Sequence, residues 1–143
     1  MPILNPYLNF NGNTEEAFNF YKSVFGGEFI GGISRFKDMP EAGNVPEKDQ
    51  DKIMHIALPI GKGNILMGTD ALESMGHKLH MGDNISLSLD AESEAEADQL
   101  FEKLSAGGKV SMPMEKAFWG DYFGMCTDKF GKQWMISYAY KQQ

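Results

Sequence analysis

Two stretches of this 143-residue chain repeat one pattern, and a shift of 79 positions lays the first on the second. The shift pairs apolar residues with apolar ones and one helix start with another: Leu8 with Leu87, Phe10 with Leu89, Thr14 with Ser93, Tyr21 with Leu100 and Phe25 with Leu104. Self-similarity at a fixed spacing indicates that one supersecondary unit occurs twice. We therefore predict a single domain, 1–143, with module one over 1–69, a connection over 70–83 and module two over 84–143.

The first copy shows a strand, then a helix, then three further strands. Residues 3–10 alternate between apolar and polar side chains, which is typical of a strand with one buried face. Asn13, with Glu16 three positions later, matches a capping box, and apolar residues at helical spacing then continue to Phe25. The remaining predicted segments are strands over 28–36, 53–60 and 64–69 and a mobile flap over 37–52.

The second copy has the same order of elements. Ser93 with Glu96 forms a second capping box, and the predicted strands cover 84–89, 110–115, 122–127 and 133–139. Each copy thus presents a sheet with a helix on one face only. Two such sheets facing one another predict an α+β fold, in which two β-α-β-β-β modules form a cupped, partly closed mixed-sheet barrel around a cavity.

Charge and composition exclude several classes of protein. Acidic residues outnumber basic ones 20 to 13, and the net charge of −7 disfavours nucleic acid, whose phosphates need clustered Lys and Arg. No apolar run is long enough to cross a bilayer, and the N-terminus lacks the pattern of a signal peptide, so we expect no membrane partner. The single cysteine, Cys126, cannot form an intrachain disulfide, and it fits a reducing cytoplasm.

Short motifs spread along nearly the whole chain carry a family resemblance. They are Pro6-Tyr7-Leu8, residues 12–17 with Tyr21, His55, residues 66–70 (LMGTD), Phe118-Trp119-Gly120, and Phe123-Gly124 followed by 128–131 (DKFG) and 134–136 (WMI). Together they resemble the vicinal oxygen chelate superfamily of glyoxalases, bleomycin-resistance proteins and extradiol dioxygenases. The PhnB-like branch, whose members carry the label 3-demethylubiquinone 3-methyltransferase, is the most similar.

The resemblance implies a divalent-metal site with ligands from four strands, usually His and Glu. Carried onto this chain, the ligand positions fall at Asn5, at Met67 (or Gly68 after a register slip), at Asn84 and at or beside Met135. Amide oxygens and thioethers are poor ligands for Zn²⁺, Ni²⁺ or Fe²⁺, which prefer imidazole or carboxylate. We therefore predict no metal and no other cofactor. His77 and His80 stand three apart in the connection and could form a metal clip, and Asp70, Glu73 and Asp83 are in the same segment. No third ligand is evident directly beside them, and solvated loop histidines are commoner than metal clips.

The predicted strands point several side chains at the cavity. The expected ligand-binding residues are Tyr7, Asn9, His55, Asn84, Ser86, Trp119, Phe123 and Met135. His55 could act as an acid, a base or a hydrogen-bond donor, or it could simply stabilise a neighbouring strand. Trp119 and Phe123 could stack on an apolar ligand or belong to the core. Cys126 has no base beside it in sequence, so we expect ordinary burial rather than a nucleophile.

Two hypotheses about function follow from these residues. The favoured one is a metal-free module of the PhnB-like type that binds a small, partly apolar molecule and works as a homodimer. The alternative is a lyase, isomerase or other enzyme that uses the same cavity, with a non-standard metal site or with acid–base chemistry at His55. The methyltransferase label finds no support, since the chain lacks the glycine-rich strand-to-helix loop of the parallel-sheet methyltransferases.

Overall fold

The computed structural model describes residues 1–140 and divides the chain into two compact units, 1–80 and 81–143. Eight strands form two four-stranded mixed sheets, and each unit also has one α-helix. The strand order of the second sheet repeats that of the first. The predicted α+β class and the two β-α-β-β-β modules are thereby confirmed. No helix within the described part of the chain is long and apolar enough to span a membrane.

Unit 1 is built from one long hairpin with a strand added on each side. Its elements are β1 (Tyr7–Phe10), α1 (Thr14–Phe25), β2 (Ser34–Arg35), β3 (Ile53–Ile60) and β4 (Asn64–Asp70). The sheet order is β1-β4-β3-β2, with β1 parallel to β4 and the other pairs antiparallel. Helix α1 packs on β3 and β4, so one face of the sheet is covered and the other carries no helix of this unit.

Unit 2 repeats this plan, with one outer strand much longer than its counterpart. Its elements are β5 (Leu87–Asp90), α2 (Glu94–Ser105), β6 (Lys109–Lys116), β7 (Asp121–Thr127) and β8 (Gln133–Ala139). The sheet order is β5-β8-β7-β6, and β5 runs parallel to β8. Helix α2 packs on β6, β7 and β8.

A strand glycine lets each helix approach its sheet closely. A Cβ at Gly68 would lie 2.5 Å from Cε1 of Phe18, and a Cβ at Gly124 would lie 3.0 Å from Cε2 of Phe101. Both phenylalanines belong to the helices, so these contacts identify the covered face of each sheet. The neighbouring residues of the same strands, such as Met67 and Met125, therefore face the opposite side.

Strands β1 and β2 are shorter than the sequence predicts. Strand β1 begins at Tyr7 rather than at residue 3, and β2 covers two residues rather than 28–36. Gly31 and Gly32 have φ values of 70° and 74°, a left-handed conformation that ends extended pairing. The predicted strand over 84–89 likewise begins only at Leu87.

The segment predicted as a flap over 37–52 contains three short 3₁₀ turns and is anchored to unit 1. The Val45 side chain is buried, and the Gln50 amide donates to the carbonyl oxygens of Ala42 and Val45. Asp49 is buried as well: its carboxylate contacts Lys52 Nζ at 2.7 Å and accepts a 2.5 Å hydrogen bond from the Ser74 hydroxyl. Buried side chains and inward hydrogen bonds make this segment part of the fold rather than a detached flap.

The first helix is capped differently from the prediction. Asn13 makes no side-chain capping bond, and Asp70 at the end of β4 accepts hydrogen bonds from the Thr14 hydroxyl and N–H instead. Sequence proximity favoured Asn13, whereas the parallel β1–β4 pairing brings a stronger, charged acceptor to the same place. At the second helix the Ser93 hydroxyl accepts from Glu96 N–H, so that cap is confirmed.

Candidate functional site

The helix-free face of the unit 1 sheet brings Tyr7 and His55 together. The Tyr7 hydroxyl lies 3.1 Å from Nδ1 of His55, and the two ring centroids are 5.7 Å apart. When the imidazole carries its proton on Nε2, Nδ1 accepts a hydrogen bond from the phenol O–H and Nε2–H remains as a donor. The pair can therefore offer a hydrogen-bond donor to a ligand.

Thr69 lies beside this pair and is itself fixed to the sheet. Its hydroxyl is 2.7 Å from the carbonyl oxygen of Met54, to which it donates, and Asn9 is its register partner on β1. Burial raises the pKa of Tyr7, and hydrogen bonding with Thr69 offsets part of that rise. The phenol of Tyr7 is consequently a neutral donor at physiological pH.

The helix-free face of unit 2 is apolar at its centre. Residues paired across neighbouring strands share one face of a sheet, so the register defines rows of side chains. One row, called here the methionine row, consists of Met135, Met125 and Met112 on three adjacent strands, with Ser88 beyond Met135 on β5. Thioether side chains are flexible and polarisable, which suits a surface that adapts to its ligand.

Phe123 and Trp119 lie next to the methionine row. Phe123 precedes Met125 by two residues on the same strand and therefore lies on the same face. Its ring centroid is 5.5 Å from that of Trp119. Trp119 retains 52% of its exposure, and its other neighbour, Phe118, contacts it edge-on at 5.0 Å. Trp119 thus belongs to the turn that connects β6 and β7, and much of its indole is open to solvent. Trp134, by contrast, is 1% exposed.

The remaining predicted site residues are placed less centrally. Asn84 is exposed and Ser86 is half-buried, and both precede β5. Asn9 points to the helix-free face of unit 1 together with Tyr7. Sequence reasoning missed Met112, whose place in the methionine row depends on strand register, which a single sequence does not fix. It also left Ser88 and Met125 out of the site, although alternation with Ser86 and with Phe123 was an available signal. It also missed Thr69, for which the alternation 65, 67, 69 of β4 was an available signal.

The donor chemistry of the residues at the family's metal positions does not fit a divalent metal. The Asn5 amide oxygen already accepts the N–H of Ile65 at 2.9 Å, and Met67 and Met135 offer only thioethers. Gly68 lies beneath Phe18 on the covered face. Among residues 1–140 no group of three or more His, Cys, Asp or Glu side chains is placed to hold a metal ion, and His77 and His80 are both exposed.

Cys126 has the surroundings of a structural thiol. It is buried on the covered face of β7, where its register partner is Trp134. Desolvation by burial, reinforced by the negative charge of Asp128, raises the pKa of Cys126 to about 11. A thiol that stays protonated at neutral pH is a poor nucleophile, which agrees with the expectation of ordinary burial.

The fold and its motifs place the chain among known proteins. The family model described as 3-demethylubiquinone-9 3-methyltransferase matches residues 3–137, and the chain belongs to this family, the PhnB-like branch. Protein YjdN of Escherichia coli K12 is 37% identical over 148 residues, which span 98% of this chain and 97% of that protein.

Solved structures agree with this assignment. Protein PA1353 from Pseudomonas aeruginosa is 38% identical with a TM-score of 0.85, over 99% of this chain and 100% of that one. The PhnB protein from Bacillus cereus is 29% identical with a TM-score of 0.75, over 96% and 100% of the two chains. A glyoxalase/bleomycin resistance protein/dioxygenase family enzyme from Burkholderia phytofirmans shares the fold at 19% identity, with a TM-score of 0.64 over 94% and 97%.

Proposed function

We propose that this chain is a metal-free module that binds a small, partly apolar molecule. The observation that carries the proposal is the half-exposed indole of Trp119, packed edge-on against Phe123 beside the methionine row. A large aromatic side chain left open next to flexible thioethers offers dispersion and stacking to a ligand without first having to leave a core. The family's methyltransferase name does not describe this proposed activity, because both sheets described in 1–140 are mixed rather than parallel.

Unit 1 carries a polar candidate surface of its own. Tyr7 and His55 form a hydrogen-bonding pair on the helix-free face, with the fixed hydroxyl of Thr69 beside them. Hydroxyl groups and an imidazole donate and accept hydrogen bonds, and a small number of such groups fixes the orientation of a ligand. A carbonyl, amide or hydroxyl group is the functional group that such a pair would accept.

Native mass spectrometry of the purified protein tests the proposal. We expect a co-purifying small molecule on the wild type, less of it on Trp119→Ala, and wild-type occupancy on Tyr140→Ala. Tyr140 is a matched control because its hydroxyl donates to Glu94 of α2, on the covered side of the same unit. Equal occupancy in all three proteins would contradict the assignment of this face as the binding surface.

The same pair of residues in unit 1 defines the alternative, an enzyme that uses acid–base chemistry at His55. For such a base, Nδ1–H would donate to the Tyr7 hydroxyl oxygen, and this contact would fix the tautomer in which the lone pair of Nε2 is free to take a proton. If the molecule identified above is converted to a product, His55→Gln should abolish turnover even when the variant is saturated with that molecule. Retained turnover in His55→Gln would exclude this mechanism.

We also propose a cytoplasmic homodimer. Strands β1 and β5 are edge strands of their sheets, and large apolar side chains next to them are exposed, among them Leu4 and Ile85. Exposed apolar residues beside unpaired strand edges favour association with a second copy. Light scattering after size exclusion should give twice 15.9 kDa at micromolar concentration, and a mass of one chain would contradict the dimer.

A further inference from the structure

A second row of side chains runs parallel to the methionine row on the helix-free face of unit 2. This carboxylate row consists of Asp90 on β5, Ser137 on β8, Phe123 on β7 and Glu115 on β6. The two acids occupy the two edge strands, so they stand at the two ends of the row. With strands about 4.8 Å apart, three strand intervals separate them by roughly 14 Å.

Both carboxylates are exposed, and one is held in place. The Ser137 hydroxyl donates a 3.1 Å hydrogen bond to Oδ1 of Asp90, whose side chain is exposed. Phe123 lies between the two acids, and the Trp119 ring lies against Phe123. The face therefore combines an apolar centre with negative charge at both ends.

One positive charge lies on the other side of the methionine row. Among the strand-paired positions of the face, the basic residue is Lys109, which pairs with Thr127, four residues along β7 from Phe123. Four residues of strand correspond to roughly 13 Å. The methionine row lies between these two rows, because Met125 is two residues from Thr127 and two from Phe123 along β7. A ligand on the methionine row therefore has one cation on one side and two carboxylates on the other, and the net charge of −7 attracts cations to the chain as a whole.

We propose that this face binds a small organic cation. Its apolar or aromatic body lies on the methionine row and on Phe123, and its positive group is placed beside Asp90 or Glu115. The exposed face of the Trp119 indole adds a cation–π contact, which is strongest for tryptophan among the aromatic residues. This inference rests on the proposed function and names the charge class of the ligand.

Two probe ions of the same shape and opposite charge test the charge class directly. Tetraphenylphosphonium and tetraphenylborate present the same four phenyl rings, so an apolar surface without charge preference would bind both. Isothermal titration calorimetry at 150 mM salt measures each ion on the wild-type protein. We expect the cation to bind at least about tenfold more tightly than the anion, as two nearby carboxylates and an aromatic face together predict.

Paired variants separate local from long-range charge effects. Asp90→Asn combined with Glu115→Gln keeps the shapes and removes two negative charges, and we expect it to weaken binding of the cation about tenfold. Glu73→Gln combined with Glu102→Gln changes the net charge by the same amount at exposed positions elsewhere, and it should bind the cation like the wild type. Trp119→Ala should weaken binding of the cation as well.

Three outcomes would overturn the inference. Equal binding of the two ions, both weakened in Trp119→Ala, would leave the proposed apolar binding surface standing and refute the cation class. Equal effects of the two double variants would show that only net charge matters. Failure of the wild type to bind the cation, although native mass spectrometry finds a Trp119-dependent ligand, would also refute the cation class without touching the proposed function.

Discussion

Asp70 holds the first turn of α1 through Thr14, although 56 positions separate the two residues. Its Oδ1 lies 2.6 Å from the Thr14 hydroxyl and 3.1 Å from the Thr14 N–H, and it also accepts the N–H of Gly12 at 3.0 Å. Its Oδ2 accepts the N–H of Ile53 at 2.8 Å. One buried carboxylate thereby joins the helix start, the beginning of β3 and the end of β4.

We predict that Asp70→Ala lowers the free energy of unfolding by about 3 kcal/mol or more, because it leaves several buried donors without an acceptor. Asn13→Ala should cost less than about 0.5 kcal/mol, since Asn13 makes no capping hydrogen bond. Urea denaturation of both variants measures the two costs. A large loss in Asn13→Ala with a small one in Asp70→Ala would restore the capping box to the role that the sequence suggested.

The two tryptophans provide a second pair of variants. Trp134→Ala should cost about 3–5 kcal/mol, because it removes a buried ring whose Nε1 donates to Asp128 at 2.8 Å. Trp119→Ala should cost less than about half of that, since the indole already has 52% of its surface exposed. The denaturant midpoints of the two variants, compared at constant m-value, measure the two losses of stability. Equal losses would make Trp119 part of the scaffold and remove it from the binding surface.

The buried thiol of Cys126 should make the free energy of unfolding depend on pH in the alkaline range. Its pKa in the folded protein is about 11, above the value of an unfolded thiol, so the folded state keeps a proton that the unfolded state has lost. The stability contributed by the protonated thiol is complete below about pH 8.5 and falls towards pH 11. The unfolding free energy of the wild type should decline more steeply than that of Cys126→Ala, by up to about 1.4 kcal/mol per pH unit.

Chemical denaturation at a series of pH values from 8 to 11 measures this difference. Tyrosine and lysine titrations occur in both proteins and cancel in the comparison. Parallel slopes for the wild type and Cys126→Ala would show that the thiol is not held protonated by the fold.

Divalent metals should leave the protein unchanged. A native-state ligand at a hundredfold excess over its dissociation constant adds about 2.7 kcal/mol of stability, which would appear as a clear rise in Tm. With Zn²⁺, Ni²⁺ or Mn²⁺ we expect nearly the same Tm as with a chelator, since Asn5 Oδ1 is already bonded to Ile65 N–H. A rise of several degrees that disappears in Asn84→Ala would reveal a metal site with unusual ligands.

The order and type of the elements could be predicted from the sequence because the repeat and the alternation of apolar residues are both local signals. The strand lengths could not, since the left-handed conformations of Gly31 and Gly32 shorten β2 in a way that composition alone does not show. The cap of α1 was also out of reach. It depends on Asp70, which only the parallel pairing of β1 with β4 brings beside Thr14.

In the candidate site, too, local sequence signals predicted some residues, and strand pairing decided the position of others. Tyr7 and His55 were predicted to share a face, and the structure places their polar atoms 3.1 Å apart. Met112 was not predicted, because the register of β6 shifts on both sides of it. An irregular strand moves residues into or out of a row without leaving a periodic trace in the sequence.

The pairing of first with last strand in each unit has a consequence for chain connectivity. Strand β1 bonds to β4, and β5 bonds to β8, so within residues 1–140 none of the strand pairs joins one unit to the other. Breaking the peptide bond between His80 and Met81, or encoding the two units in reverse order, would remove none of the described hydrogen-bonded strand pairs. Gene fission, shuffling and half-by-half replacement are routes by which such a molecule can acquire a new ligand while keeping its scaffold.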